Sequence, residues 1–293
     1  MRYTKNAPLK IYGLLALGLL LAAVRPQDTV AQEPAAVDLP ILFDTRERIA
    51  RPDLSGIVRL RFLTTVDFPP FNFIDQTGKL AGFHVDLVRE VCRELALTEK
   101  CQIQAVTFPE LEKALVDGNG EAVAAGVAVT AELRKRFLFS RPFMRLPARF
   151  AVAKKTPLAG ETAAVLAGKR VGVVAASAHE AMLKAFFPHA QAEAFPDRAG
   201  LLASLKAGKV EAVFGDGMQL AFWTSGSESA GCCRLFDGPY MSERFLGEGL
   251  TIMFRKEDAA IAGAIDHALL ALSRSGRLQE IYLRYFPVNL YGG

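Results

Sequence analysis

From Val58 the chain alternates, with Val58, Leu60 and Phe62 separated by Arg59 and Arg61, the period of a strand with two different faces. Val85, Val88, Val91, Cys92 and Leu95 then recur at helical spacing and predict a helix over residues 85–97. A strand over 102–106, a helix over 109–117 and a strand over 121–126 follow. A second series of the same kind begins at Arg149–Lys154 and includes strands in 169–175 and 209–216 around a helix over 178–187, closing near Gly238-Pro239-Tyr240. Beyond it, Leu250–Phe254 reads as a strand, and Ile261, Ile265, Leu269 and Leu272 form one helical face. After the Gly276 turn, a last helix runs from Arg277 to Phe286. Strand alternating with helix throughout argues for an α/β protein, with parallel sheets and crossover helices.

The first residues break this pattern. Arg2, Lys5 and Lys10 precede an apolar run from Ile11 to Val24, and Thr29-Val30-Ala31 stands before Gln32. This is the layout of a secretory signal cleaved after Ala31. An uncleaved anchor is the alternative, but the run is short and ends in Arg25-Pro26. No cysteine follows it to carry a lipid, and no later apolar run reaches the ~18 residues of a membrane span, so the expected product is exported and periplasmic. Residues 32–57 read as an N-terminal leader whose apolar patch is residues 39–43.

Charge changes once the signal is set aside. The formal net charge of +4 includes Arg2, Lys5, Lys10 and Arg25 against Asp28 within residues 1–31, and falls to about +1 without them. The remaining arginines are scattered among acids, so nucleic acid is not indicated as a partner. A mature chain of about 260 residues exceeds one compact unit and suits two α/β lobes.

Candidate chemistry centres on the segment Thr64–Val88, where a strand gives way to the aromatic and proline-rich loop Phe68-Pro69-Pro70-Phe71 and then to a helix. Aromatic residues on a loop at the carboxyl end of a buried strand stand where α/β sheets place ligands. This points to binding before catalysis. Cys92 and Cys101 flank one short loop, and in an exported chain they are expected to pair. Cys232 and Cys233 leave three states open: a vicinal ring, a link to a second molecule, or two thiols. No histidine lies at ligand spacing from either pair, so neither a metal nor another cofactor is expected. Phosphate loops and Ser/His/Asp series are lacking as well.

Taken in order, Pro69-Pro70-Phe71, residues 78–83, Thr130, residues 139–143, residues 166–173, residues 208–213 with Asp216, and residues 254–258 resemble the landmarks of the family 3 extracellular solute-binding proteins of ABC importers for polar amino acids. The resemblance covers residues 58–293, and even the terminal Leu290-Tyr291-Gly292-Gly293 is similar to the end of a family member. It implies a two-lobed periplasmic-binding-protein fold of type II, each lobe a mixed, mainly parallel sheet flanked by helices, with two hinge crossovers. Residues 58–146 would form the first part of lobe 1, 147–246 lobe 2, and 247–293 the C-terminal part of lobe 1. The implied protein is a monomer that closes on a small polar solute and presents it to a membrane permease. A bridge between Cys92 and Cys101 has a counterpart at the same place in the family.

Carried over residue by residue, the resemblance puts Phe68 and Phe108 as walls around the ligand, with core packing as the weaker alternative for both. Gly126 and Thr130 fall on the ligand-binding segment. Ser177, at a strand-to-helix junction, would meet a ligand carboxylate or only cap its helix. Asp216 would receive an ammonium or only make a turn. Two positions depart from the family: Ala128 replaces the usual hydroxyl, and Leu133 the arginine that clamps an α-carboxylate. Arg134 is one residue late, a rotation of about 100° on a helix, and Arg136 lies one turn beyond Leu133. Retaining Asp216 without the arginine implies an amine-bearing ligand with less need of a carboxylate. His84 reads as structural. The alternatives on this fold are a non-transport receptor or partner protein and a cyclohexadienyl-dehydratase-like enzyme. The latter needs cleft cations that are missing here.

Overall fold

The computed structural model describes residues 40, 42–44, 46–286, 290 and 291; the signal sequence, its cleavage site and all of residues 32–39 lie outside them. The first half of the chain forms β1 (Leu60–Thr64), β2 (Asp67–Phe68), β3 (Asn72–Ile74), β4 (Leu80–Ala81), α1 (Phe83–Glu94), β5 (Cys101–Ala105), α2 (Leu111–Val116), β6 (Ala122–Val123), α3 (Ala131–Arg136) and β7 (Phe137–Phe139). A second run comprises β8 (Ala148–Ala153), β9 (Arg170–Val174), α4 (Ala178–Phe186), β10 (Gln191–Phe195), α5 (Arg198–Lys206), β11 (Ala212–Asp216), α6 (Gly217–Ser225), β12 (Cys233–Tyr240) and α7 (Glu243–Leu246). It is followed by β13 (Met253–Arg255), α8 (Ala259–Arg274) and α9 (Arg277–Tyr285). Among the described residues, no helix is long and apolar enough to cross a membrane.

Two five-stranded sheets result, in the orders β5-β1-β6-β13-β7 and β10-β9-β11-β8-β12, with β2-β3-β4 as a small separate sheet. In each large sheet four strands run in one direction and the fourth in order, β13 or β8, is antiparallel to both its neighbours. β8 shows why such strands form. All six of its residues are buried, as expected of a central strand covered on both faces. β13 inserts between β6 and β7, with Met253 opposite both Val123 and Phe139, so the C-terminal segment completes the first sheet.

Apolar periodicity accounts for α1, which buries Phe83, Leu87, Val88 and Val91. It starts at Gly82, whose φ of 130° is open to glycine alone. A Cβ there would stand 2.1 Å from the Phe71 carbonyl oxygen. A disulfide joins Cys92 near its end to Cys101 at the start of β5. Cys232 and Cys233 are joined to each other, which selects one of the three states the sequence leaves open. The leader packs on this half: Phe43 is buried in its core, and Ile49 O accepts from or faces His267 Nδ1 at 2.7 Å.

The two crossovers run side by side. Phe143 N donates to Leu250 O at 3.0 Å and Leu250 N to Met144 O at 2.7 Å. Gly249 permits this approach, because a Cβ on it would lie 2.5 Å from Met144 O. Ser140 Oγ accepts from Ile252 N at 2.9 Å, which ties the segment after β7 to the segment before β13. α6 leaves β11 of the second sheet, yet Met218 and Ala221 are buried in the core of the first lobe. Its N-terminus therefore stands where the two lobes meet.

Candidate functional site

Asp216 ends β11 and caps α6, its Oδ1 accepting from Gln219 N at 2.9 Å. Backbone N–H groups of Gln219 and Met218 are its hydrogen-bond partners. Burial nevertheless pushes the carboxyl above the usual carboxylate range, against the pull of those bonds and of His179 and Arg198 nearby. The charge is thus under-compensated within the protein. Ser177 caps α4, accepting from Glu180 N at 3.1 Å and donating to Val174 O at 2.7 Å. Glu180 reaches back past the cap and accepts from Ala176 N at 2.7 Å.

Ser177 and Asp216 line one cavity of about 310 Å³, together with His179, Arg198, Phe214 and Gln219. His179 sits edge-on to the Phe214 ring, with centroids 6.3 Å apart. Burial pushes its pKa down and Asp216 pulls it up. Arg198 begins α5 and donates to Gln219 Oε1 at 2.9 Å. Sequence reasoning names neither residue. His179 lies two positions past the Ser177 cap, close enough to have been read with it; Arg198 belongs to a helix the sequence pattern does not show.

On the first lobe, Phe68 is half-buried at the end of β2 and stacks on Phe71 with centroids 4.7 Å apart. Its ring lies over Gly126, where a Cβ would meet Phe68 Cε1 at 2.6 Å. These two residues are therefore brought together, and only glycine leaves room. Phe108 is 51% exposed, so core packing does not account for it. Thr130 is exposed and caps α3, accepting from Leu133 N at 3.1 Å. Neither Phe108 nor Thr130 lines the Asp216 cavity.

The departures have a structural outcome. Ala128 is exposed, and Leu133 packs against the cluster around Leu63 and Phe137. Arg134 is held by Glu248 on the second crossover and Arg136 by Glu112 on α2. Both nearby guanidinium groups are committed to protein carboxylates, and the position that would clamp an α-carboxylate holds an aliphatic side chain. His84 is 1% exposed among the phenylalanines beneath Phe68, a buried structural residue.

A family model described as bacterial extracellular solute-binding proteins, family 3, matches residues 60–288. The chain is 29% identical over 228 residues to the L-arginine-binding protein of Pseudomonas aeruginosa, covering 77% of this chain and 86% of the relative. It is 26% identical to the lysine/arginine/ornithine-binding periplasmic protein of Escherichia coli, covering 80% of this chain and 89% of that one. Among solved structures, the L-cystine solute receptor of Neisseria gonorrhoeae in its unliganded open conformation superposes with a TM-score of 0.67 at 19% identity, over 80% of this chain and 95% of the other. That likeness shows the two-lobed type II fold.

Proposed function

Because this chain belongs to the bacterial extracellular solute-binding proteins, family 3, we propose that it captures a small amine-bearing, amino-acid-like solute between its lobes and delivers it to an ABC permease. Its work is binding and release, without catalysis. Relatives named for arginine, lysine and ornithine bear cationic ligands, which agrees with an acid as the recognition group. The observation that carries the reading is Asp216, a half-buried carboxylate that lines a cavity and has no bonded cation among the described residues. An incoming ammonium compensates that charge and regains the desolvation cost.

Closure about the paired crossovers would bring Phe68, Phe108, Gly126 and Thr130 toward Ser177 and Asp216. With Leu133 packed away and Arg134 and Arg136 engaged, an α-carboxylate has no guanidinium fork on the first lobe. The ligand is thus an amine for which a carboxylate is dispensable. The mature protein is a periplasmic monomer released by cleavage after Ala31.

The test is a thermal-shift screen of mature protein refolded without ligand, against α-amino acids, their decarboxylated amines and small carboxylates. A ligand at 100 times its Kd stabilises by about 2.7 kcal/mol. Amines are expected to raise the Tm of the wild type but not of Asp216→Asn. Equal stabilisation of both proteins would remove Asp216 from the site.

A further inference from the structure

A second cavity, of about 470 Å³, adjoins the Asp216 cavity. Pro69 and Pro70 of the first lobe form one side of it, and Met218, Phe222 and Trp223 of α6 the other. Arg198 and Gln219 line both cavities and are bonded to each other at 2.9 Å. The two spaces therefore share a pair of exposed side chains joined by one hydrogen bond. Each volume alone lies in the range of small-molecule sites, and displacement of that pair would let one ligand reach both.

Resting on the reading of Asp216 as the ammonium acceptor, we infer that the solute is an amphiphilic amine. Its head meets Asp216 and its apolar chain passes Arg198 and Gln219 to lie between Pro69-Pro70 and α6. The two prolines give a stiff apolar wall that loses little entropy when a chain packs on it. Met218 and Phe222 supply the opposite wall, while Arg198, Gln219 and Glu228 stay at the rim. A chain seated there touches both lobes and would hold them closed. α6 serves twice: its capping residue takes the charge, and its next two turns take the hydrocarbon.

The experiment is calorimetric titration of the mature protein with straight-chain amines from ethylamine to hexylamine, read alongside tryptophan emission. Trp223 is the only tryptophan in the chain and reports on this cavity. Affinity is expected to rise about fourfold per added methylene, the value of burying one CH₂, with emission changing only for the longer members. In Phe222→Ala the gain per methylene is expected to fall below twofold. If ethylamine binds but affinity does not grow with chain length, or if Phe222→Ala keeps the full gain, the hydrocarbon site is overturned and Asp216 keeps its role. If no amine binds, the ammonium reading fails and this inference falls with it.

Discussion

Replacing His84 by glutamine should change how the stability of this protein depends on pH. The imidazole is 1% exposed and ringed by Phe71, Phe83 and Phe143, with centroids at 5.0, 6.0 and 5.7 Å. Its Nδ1 meets Asn72 Oδ1 at 3.1 Å, while Nε2 finds no hydrogen-bond partner among the described residues. Burial lowers its pKa from 6.5 to about 3. Above pH 6.5 both folded and unfolded chains carry it neutral, and its contribution is fully present. Below 6.5 the unfolded chain binds a proton that the folded one refuses, so stability falls with pH until about pH 3. The loss at pH 5 is about 2 kcal/mol, a large part of the 5–15 kcal/mol typical of folded proteins. Urea unfolding of wild type and His84→Gln at pH 8 and pH 5 isolates this one group. The variant is expected to gain about 2 kcal/mol on wild type over that interval. A difference that stays constant within a few tenths would refute the buried neutral imidazole. Because His84 packs under Phe71 and Phe68, acid would loosen this aromatic wall along with the fold.

Gly126→Ala places a Cβ where Phe68 Cε1 now stands, at a φ of 72°; a cost of about 1–2 kcal/mol in urea unfolding is expected, with weaker amine binding, and an unchanged Kd would take Phe68 out of the site. Arg134→Ala removes an exposed pair with Glu248, so less than about 1 kcal/mol of stability and no more than about twofold in affinity should be lost. A tenfold loss in titration would mean that this arginine reaches the ligand. Replacing both Cys92 and Cys101 by serine frees a loop of sequence separation 9 and should cost about 2.5 kcal/mol in chemical denaturation; a loss under 1 kcal/mol would mean that the bridge does little to restrict the unfolded chain.

Where apolar residues recur strongly, the sequence shows the fold. α1 and α8 stand out because their buried positions repeat at helical spacing, and β8 because it is apolar on both faces. β10 does not, since Gln191-Ala-Glu-Ala-Phe195 is an edge strand whose alternating residues are alanines and whose first four positions are exposed. β6 shrinks to two residues because Gly126 turns the chain at positive φ beneath Phe68. The seating of β13 between β6 and β7 is a long-range pairing that no local periodicity encodes; the resemblance to a family implies only that residues 247–293 return to the first lobe.

The site divides in the same way. Ser177, Thr130 and Asp216 are visible because strand-to-helix junctions announce themselves, and all three do cap their helices. Capping alone explains the first two. For Asp216 it explains too little. A serine or asparagine would accept the Gln219 N–H equally well without bringing a charge into a buried place. Arg198, the nearest guanidinium on this cavity, spends a hydrogen bond on Gln219, and His179 is held toward its neutral form. The N-terminus of α6 offsets part of this cost through the Gln219 and Met218 N–H groups, but desolvation still outweighs them and raises the carboxyl's pKa. Its presence at the joint between two lobes, facing a cavity, is what the proposed cation site requires: on that reading, the destabilisation of the empty state would become affinity when an ammonium arrives.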